Sequence, residues 1–182
     1  MTGVLILGVA LWTAAHLWKR LAPGHRAGFG DKGKGLATFG ILAGVVLMVV
    51  GYRGAEFVPL WSPPAFLTHV NNLLMLLAVY LFAASGMKTL VTRTIRHPQL
   101  TGFKTWAAAH LLVNGDLASI VLFGGLLAWA VVSVILINRA QPVWTRPERS
   151  TPGREIGAIV GALVATGVIG WIHSLLGYWP YG

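Results

Sequence analysis

Cysteine is absent from all 182 residues. That excludes disulfides, thiolate metal sites and covalently attached c-type haem. Charge is scarce too: 10% of the residues are charged, against about 25% in a soluble domain. Acidic side chains are the scarcest, with five Asp and Glu in the whole chain. They do not keep a chain that is 55% hydrophobic in solution. Internal repeats, direct or inverted, are also missing, which counts against a solenoid and against a transporter.

What the chain does have is long apolar runs. Six stand out: Gly3–Leu17, Leu36–Tyr52, Phe66–Met87, Leu100–Val113, Leu117–Asn138 and Ile156–Leu176. Four approach the roughly 20 residues that a spanning helix needs, while the second and fourth are short. The expectation is an all-α membrane bundle of about six transmembrane helices, forming one domain over residues 1–182. The fourth run carries Lys104 and reads either as a partial span or as half of a tight hairpin with the fifth.

The net charge of +9 would point to nucleic acid if the cations formed one stripe. Instead, 13 of the 14 Lys and Arg fall in or beside loops one, three and five. By the positive-inside rule these loops face the cytoplasm, and both termini lie outside. Trp61, Tyr178, Trp179 and Tyr181 fit an aromatic belt at the outer interface. The first run lacks a basic leader and a small-residue cleavage site, so it reads as a retained helix. The partners expected are a lipid bilayer, a small apolar or nitrogen-oxide substrate and other membrane proteins. Nucleic acid is not among them.

Small residues at close spacing predict tight helix packing: Gly40 with Gly44, Gly157 with Gly161, Gly124-Gly125, and Gly3 and Gly8. The polar residues inside the runs are the functional candidates, because ionisable groups are costly there. His25, in a basic loop, reads as solvated, and His97 sits at a helix edge before Pro98. His16, His69, His110 and His173 lie in helices. A single helical histidine is usually a packing residue. Four in so apolar a chain point to a cofactor, and imidazole ligates haem iron, copper and zinc. Zinc is the poorer fit, since no His-x-x-x-His pair occurs and no carboxylate accompanies a histidine within its helix. Haem asks for one or two histidines and an apolar slot. Small residues beside His16 (Ala10, Ala14, Ala15) and His110 (Ala107, Ala108, Ala109) leave room for one, or simply favour close packing. Trp106 lies one turn before His110 on the same face. Asn114-Gly115-Asp116 reads first as a turn: Gly115 left-handed, Asp116 capping the next helix. Asp116 is also a candidate to orient a histidine.

Arg96-His97-Pro98, Trp106-Ala-Ala-Ala-His110, Asn114-Gly115-Asp116-Leu117-Ala118-Ser119 with Phe123-Gly124, and His173-Ser-Leu-Leu-Gly177 together resemble the NnrU family over nearly the whole chain. That resemblance implies a bacterial inner-membrane protein associated with denitrification and nitric oxide metabolism. The family is similar to the 15-cis-zeta-carotene isomerases, which hold a b-type haem through histidine. The resemblance therefore implies haem b with His110 and His16 as iron ligands and Trp106, Asn114 and Asp116 around it. Helix depth opens an alternative: if the fourth helix fully crosses, His110 lies nearer His69 and His173 and pairs with one of them, or is the only ligand. It also implies a redox or isomerase-type role. The isomerases carry Cys where this chain has Ala107, so a thiolate alternative is absent.

A second similarity competes. Arg96-His97-Pro98 followed by Gly102 resembles the S-adenosylmethionine-binding motif of membrane methyltransferases, with Arg96 and His97 as the site. The usual Tyr is Leu100 here, and the later acidic pair is reduced to separated Glu148 and Glu155. Pro98 as a helix start and Arg96 as a phosphate anchor explain the motif equally well. In a third reading the chain is a non-catalytic assembly subunit whose histidines only pack.

Overall fold

The computed structural model describes residues 1–180, and the expected anchor Tyr181 lies outside them. Every regular element described is helical: α1 (Thr2–Leu21), α2 (Pro23–Gly28), α3 (Lys32–Arg53), α4 (Leu67–Met87), α5 (Pro98–Val113), α6 (Leu117–Ala140) and α7 (Pro152–Leu175). A 3₁₀ turn, Leu90–Arg93, follows α4. Five of these helices, α1, α3, α4, α6 and α7, are long and apolar enough to cross a membrane. Large apolar side chains stay exposed along them, Phe39 at 72% and Leu73 at 68%, as apolar surroundings allow.

The second apolar run, short as a sequence, becomes a 22-residue helix because α3 starts at Lys32. Its first turn is basic and lies outside the hydrophobic stretch. The fourth run remains short: α5 has 16 residues, about 24 Å at the helical rise. It accounts for the difference between the six apolar runs and the five long helices. Pro98 opens α5, where its missing N–H costs nothing.

The chain forms two compact units. The first combines residues 1–62 with 114–140, hence α1, α2, α3 and α6. Its centre is the α1–α3 pair, joined by the short α2. Close approach is real here: a Cβ on Gly8 would stand 2.6 Å from the Met48 amide, and one on Gly44 would stand 2.9 Å from the Trp12 amide. Gly40 likewise faces the Ala15 methyl, and Gly125 faces Val9. Gly3 has open space around it, so it plays no such part.

The second unit holds residues 63–113 and the chain from Gln141 onward, hence α4, α5 and α7. Helix α4 packs on both of the others. A Cβ on Gly102 would press on the Ala78 carbonyl, which brings α5 close to α4. The second expected glycine pair is only half used: Gly157 meets the Met87 side chain, whereas Gly161 has nothing within 4 Å.

Candidate functional site

Three of the four helical histidines make the same local bond. His16 Nδ1 lies 3.0 Å from the Trp12 carbonyl, His110 Nδ1 3.1 Å from that of Trp106, and His173 Nδ1 2.8 Å from that of Ile169. A carbonyl only accepts, so Nδ1 carries the proton in each ring. In the neutral imidazole, Nε2 then holds the lone pair. The partner carbonyl lies four residues earlier each time, so the helix itself sets the tautomer.

His16 belongs to the first unit, on α1. Its ring lies 4.1 Å from Trp12 and 4.8 Å from Trp129 of α6, centroid to centroid. The two indoles meet edge to face at 5.5 Å. Trp12 Nε1 is buried and has no hydrogen-bond partner. Trp129 was not legible as a site residue, because nothing in the sequence pairs α6 with α1.

His110 belongs to the second unit, on α5. Its ring contacts Trp106 at 5.1 Å, and Trp106 in turn contacts Phe103 at 5.1 Å. His173 and Trp106, the ring that His110 contacts, line one cavity. The unit thus brings together two of the expected histidines, one from α5 and one from the last turn of α7. His69, on the first turn of α4, is exposed. Ala107 and Ala109 are fully buried, on opposite sides of α5, so packing fills the space around both.

A cavity of about 320 Å³ opens in the same unit. Met75, Ala78, Val79 and Phe82 of α4 form one wall. Phe103 and Trp106 of α5 form the second, and Ile169 and His173 of α7 the third. The lining is almost wholly apolar. Asn71 stands one turn before Met75, on the same face of α4. Its amide nitrogen donates to Asn72 Oδ1 at 3.2 Å, while its own Oδ1 is buried without a partner. The sequence reading passed over this pair. Two adjacent carboxamides inside an apolar run were the available signal.

The Asn114-Gly115-Asp116 turn is structural in detail. Asp116 caps α6: its Oδ1 accepts from Ser119 N at 3.0 Å and its Oδ2 from Ser119 Oγ at 2.5 Å. Tyr52 O–H donates to Ser119 Oγ at 2.9 Å. Both Asp116 oxygens therefore serve Ser119, and no bond to an imidazole is among those described for it. Gly115 is not left-handed, contrary to expectation. It is needed because a Cβ there would run into the Trp61 carbonyl. Residues 58–61 fold over the turn: Leu60 N and Trp61 N donate to Gly115 O at 2.7 and 3.1 Å, and Leu117 N donates to Val58 O at 3.0 Å.

At the other end of the second unit, the Arg96 guanidinium donates to the Gln141 carbonyl, and His97 O accepts from Thr101 N at 2.8 Å. Both contacts fasten the start of α5, and the Arg96 partner described is a protein carbonyl. His25 is exposed, but it is not merely solvated: its Nδ1 accepts from Trp18 Nε1 at 2.9 Å. Among the described residues, no three His, Asp or Glu side chains gather as a metal-binding group.

A family model described as NnrU protein matches residues 4–180, running through both units. No curated protein and no solved structure matches the chain.

Proposed function

We propose that this chain, which belongs to the NnrU family, is a multi-pass protein of the bacterial inner membrane that binds haem b through His110. The observation that carries the reading is the Nδ1–carbonyl bond of the helical histidines. Metal-ligating histidines ordinarily donate their other ring N–H to a carbonyl or carboxylate, which fixes the ring and raises its basicity. Here the helix supplies that carbonyl at no cost in extra residues. The donor set fits iron: neutral imidazole is a standard haem ligand, and the chain offers no thiolate to compete.

His173 is the second-ligand candidate in the same unit, and His16 presents the same tautomer in the other. Trp106 lies tilted against His110 and limits its rotation. The apolar walls around His173 keep water away. When bound, the haem supplies redox, nitrogen-oxide or isomerisation chemistry, while the protein holds and shields it. The family's association with nitric oxide metabolism and denitrification favours the nitrogen-oxide role. The crowding of cations in loops one, three and five favours both termini outside.

The test is an absorption spectrum after haem-replete expression. A Soret band is expected in the wild type and lost in His110→Ala, with His173→Ala and His16→Ala separating the second-ligand candidates. A wild type with no Soret band would sink the proposal, as would a His110→Ala spectrum identical to wild type.

A further inference from the structure

The basic end of the α1–α3 pair has an architecture that the haem reading does not use. The two helices run antiparallel: Gly51 approaches Leu5, Gly44 approaches Trp12 and Gly40 approaches Ala15. That register brings Lys19 and Arg20, in the last turn of α1, to the same end as Lys32 and Lys34, at the start of α3. Arg26 of the short α2 joins them there.

The connection is folded rather than slack. Trp18, His25 and Phe29 form a cluster of rings with centroids 5.2 to 5.6 Å apart. Trp18 Nε1 donates to His25 Nδ1 at 2.9 Å, which ties α2 to α1. The Arg26 guanidinium lies 5.7 Å from the Trp18 ring and donates to Gly30 O at 3.0 Å. Gly33 leaves room for it, since a Cβ there would stand 2.5 Å from the guanidinium. Arg26 thus belongs to the scaffold. Lys34 is paired at 2.9 Å with Asp31, the one acid of this connection. Lys19, Arg20 and Lys32 are exposed, and the ion pair described here involves none of them. Apolar side chains lie among them, Leu21 at 64% exposure and Phe29 at 42%.

The other two basic loops are built differently. In loop three, Arg96 is bonded to the Gln141 carbonyl and Arg93 is half-buried. In loop five, residues 141–151 have no regular structure, and Glu148 lies between Arg146 and Arg149. Loop one alone sets several exposed cations and apolar side chains together on a fixed scaffold.

We propose that this end of the α1–α3 pair binds the headgroup of an anionic phospholipid, with Lys19, Arg20 and Lys32 on the phosphate and Leu21 and Phe29 against the first acyl carbons. Clustered cations beside a spanning helix attract anionic lipid. A free phosphate would engage the cations alone and leave Leu21 and Phe29 exposed to water. A lipid covers both kinds of side chain at once. The stems of Lys and Arg lie along apolar surface while their charged ends stay at headgroup level. The site needs the bilayer and not the cofactor.

The experiment is lipid titration of the delipidated full chain in a neutral detergent, read by native mass spectrometry. Phosphatidylglycerol and phosphatidylcholine with the same acyl chains are compared, and inorganic phosphate is the competitor. Phosphatidylglycerol is expected to bind at least about tenfold more tightly. Lys19→Gln, Arg20→Gln and Lys32→Gln should each weaken it about fivefold and leave phosphatidylcholine unchanged. Arg146→Gln and Arg149→Gln remove the same charge from loop five and should change neither lipid. In about 1 M salt, where the Debye length is about 3 Å, the preference should fall toward parity. Equal binding of the two lipids by the wild type overturns the proposal. So does an equal loss in the loop-five variants, which would reduce the effect to net charge. Displacement of the lipid by inorganic phosphate would give the cations to a free anion and overturn the lipid assignment.

Discussion

Gly115→Ala is the sharpest test of the fold. The added methyl group meets the Trp61 carbonyl, a backbone atom that cannot rotate away. The same segment is tied to the turn by Leu60 N and Trp61 N, both on Gly115 O. Overpacking of this kind costs about 1–3 kcal/mol. Displacing the segment also weakens two hydrogen bonds, at about 1 kcal/mol each. The combined loss of about 3–5 kcal/mol is a large share of a typical folding free energy. For a chain of this length it lowers the melting temperature by about 10 °C. Gly161→Ala is the matched control, because a Cβ there meets nothing within 4 Å and the residue lies inside α7. Alanine is the better helix former, so that variant should melt at or slightly above the wild-type temperature. Both are read by thermal unfolding in one mild detergent, followed by circular dichroism. A Gly115→Ala protein as stable as wild type would refute the close approach of residues 58–61 to the turn. A Gly161→Ala protein destabilised as much as Gly115→Ala would show that the measurement reports glycine replacement in general.

Two further expectations are independent of the cofactor. Ser119→Ala removes the hydroxyl shared by Asp116 and Tyr52, at a cost of about 1–3 kcal/mol in the same melt. Tyr52→Phe should cost less, about 1 kcal/mol, because Ser119 stays on the carboxylate; a larger loss for Tyr52→Phe would reverse the order of the chain. The topology is tested by single cysteines in a chain that has none of its own. Thr2→Cys and Tyr178→Cys should react with an impermeant maleimide from the periplasmic side, and Ser150→Cys only after the membrane is opened. The opposite pattern would overturn the assignment of loops one, three and five to the cytoplasm.

The helices were legible because apolar runs bounded by cations leave little choice of element in a chain this poor in charge. Pro98 at the start of α5 and Asp116 as the α6 cap could be read directly, since each is a local rule about orphaned backbone groups. Gly115 was misread because its reason is not local. The constraint comes from residues 58–61, more than fifty positions earlier, and nothing in Asn-Gly-Asp distinguishes a left-handed turn from a close crossing. The start of α3 was misplaced for a different reason. Hydropathy marks the apolar stretch, whereas the helix extends into Lys32–Gly35, where water and lipid headgroups satisfy the charges. Trp129 beside His16 and Asn71 beside the cavity were invisible because they depend on which helices become neighbours.

The bond that the histidines make bears on all the readings of this chain. An imidazole in an apolar helix presents two polar nitrogens, and the carbonyl four residues back satisfies one of them without help from any other element. A pure packing role needs only that bond plus a donor for Nε2. A ligand role needs the same bond with iron, or a ligand hydroxyl, at Nε2. The Nδ1 geometry is thus common to both, and discrimination rests on what reaches the second nitrogen. At His16 the immediate neighbours are two indole rings, one tilted and one edge-on to the imidazole. At His173 the neighbours are cavity walls open to a ligand. The two units therefore use the same tautomer in different surroundings. A Soret band that is unchanged in His173→Leu would leave that imidazole to packing. A Soret band lost in His173→Leu would assign the imidazole to iron.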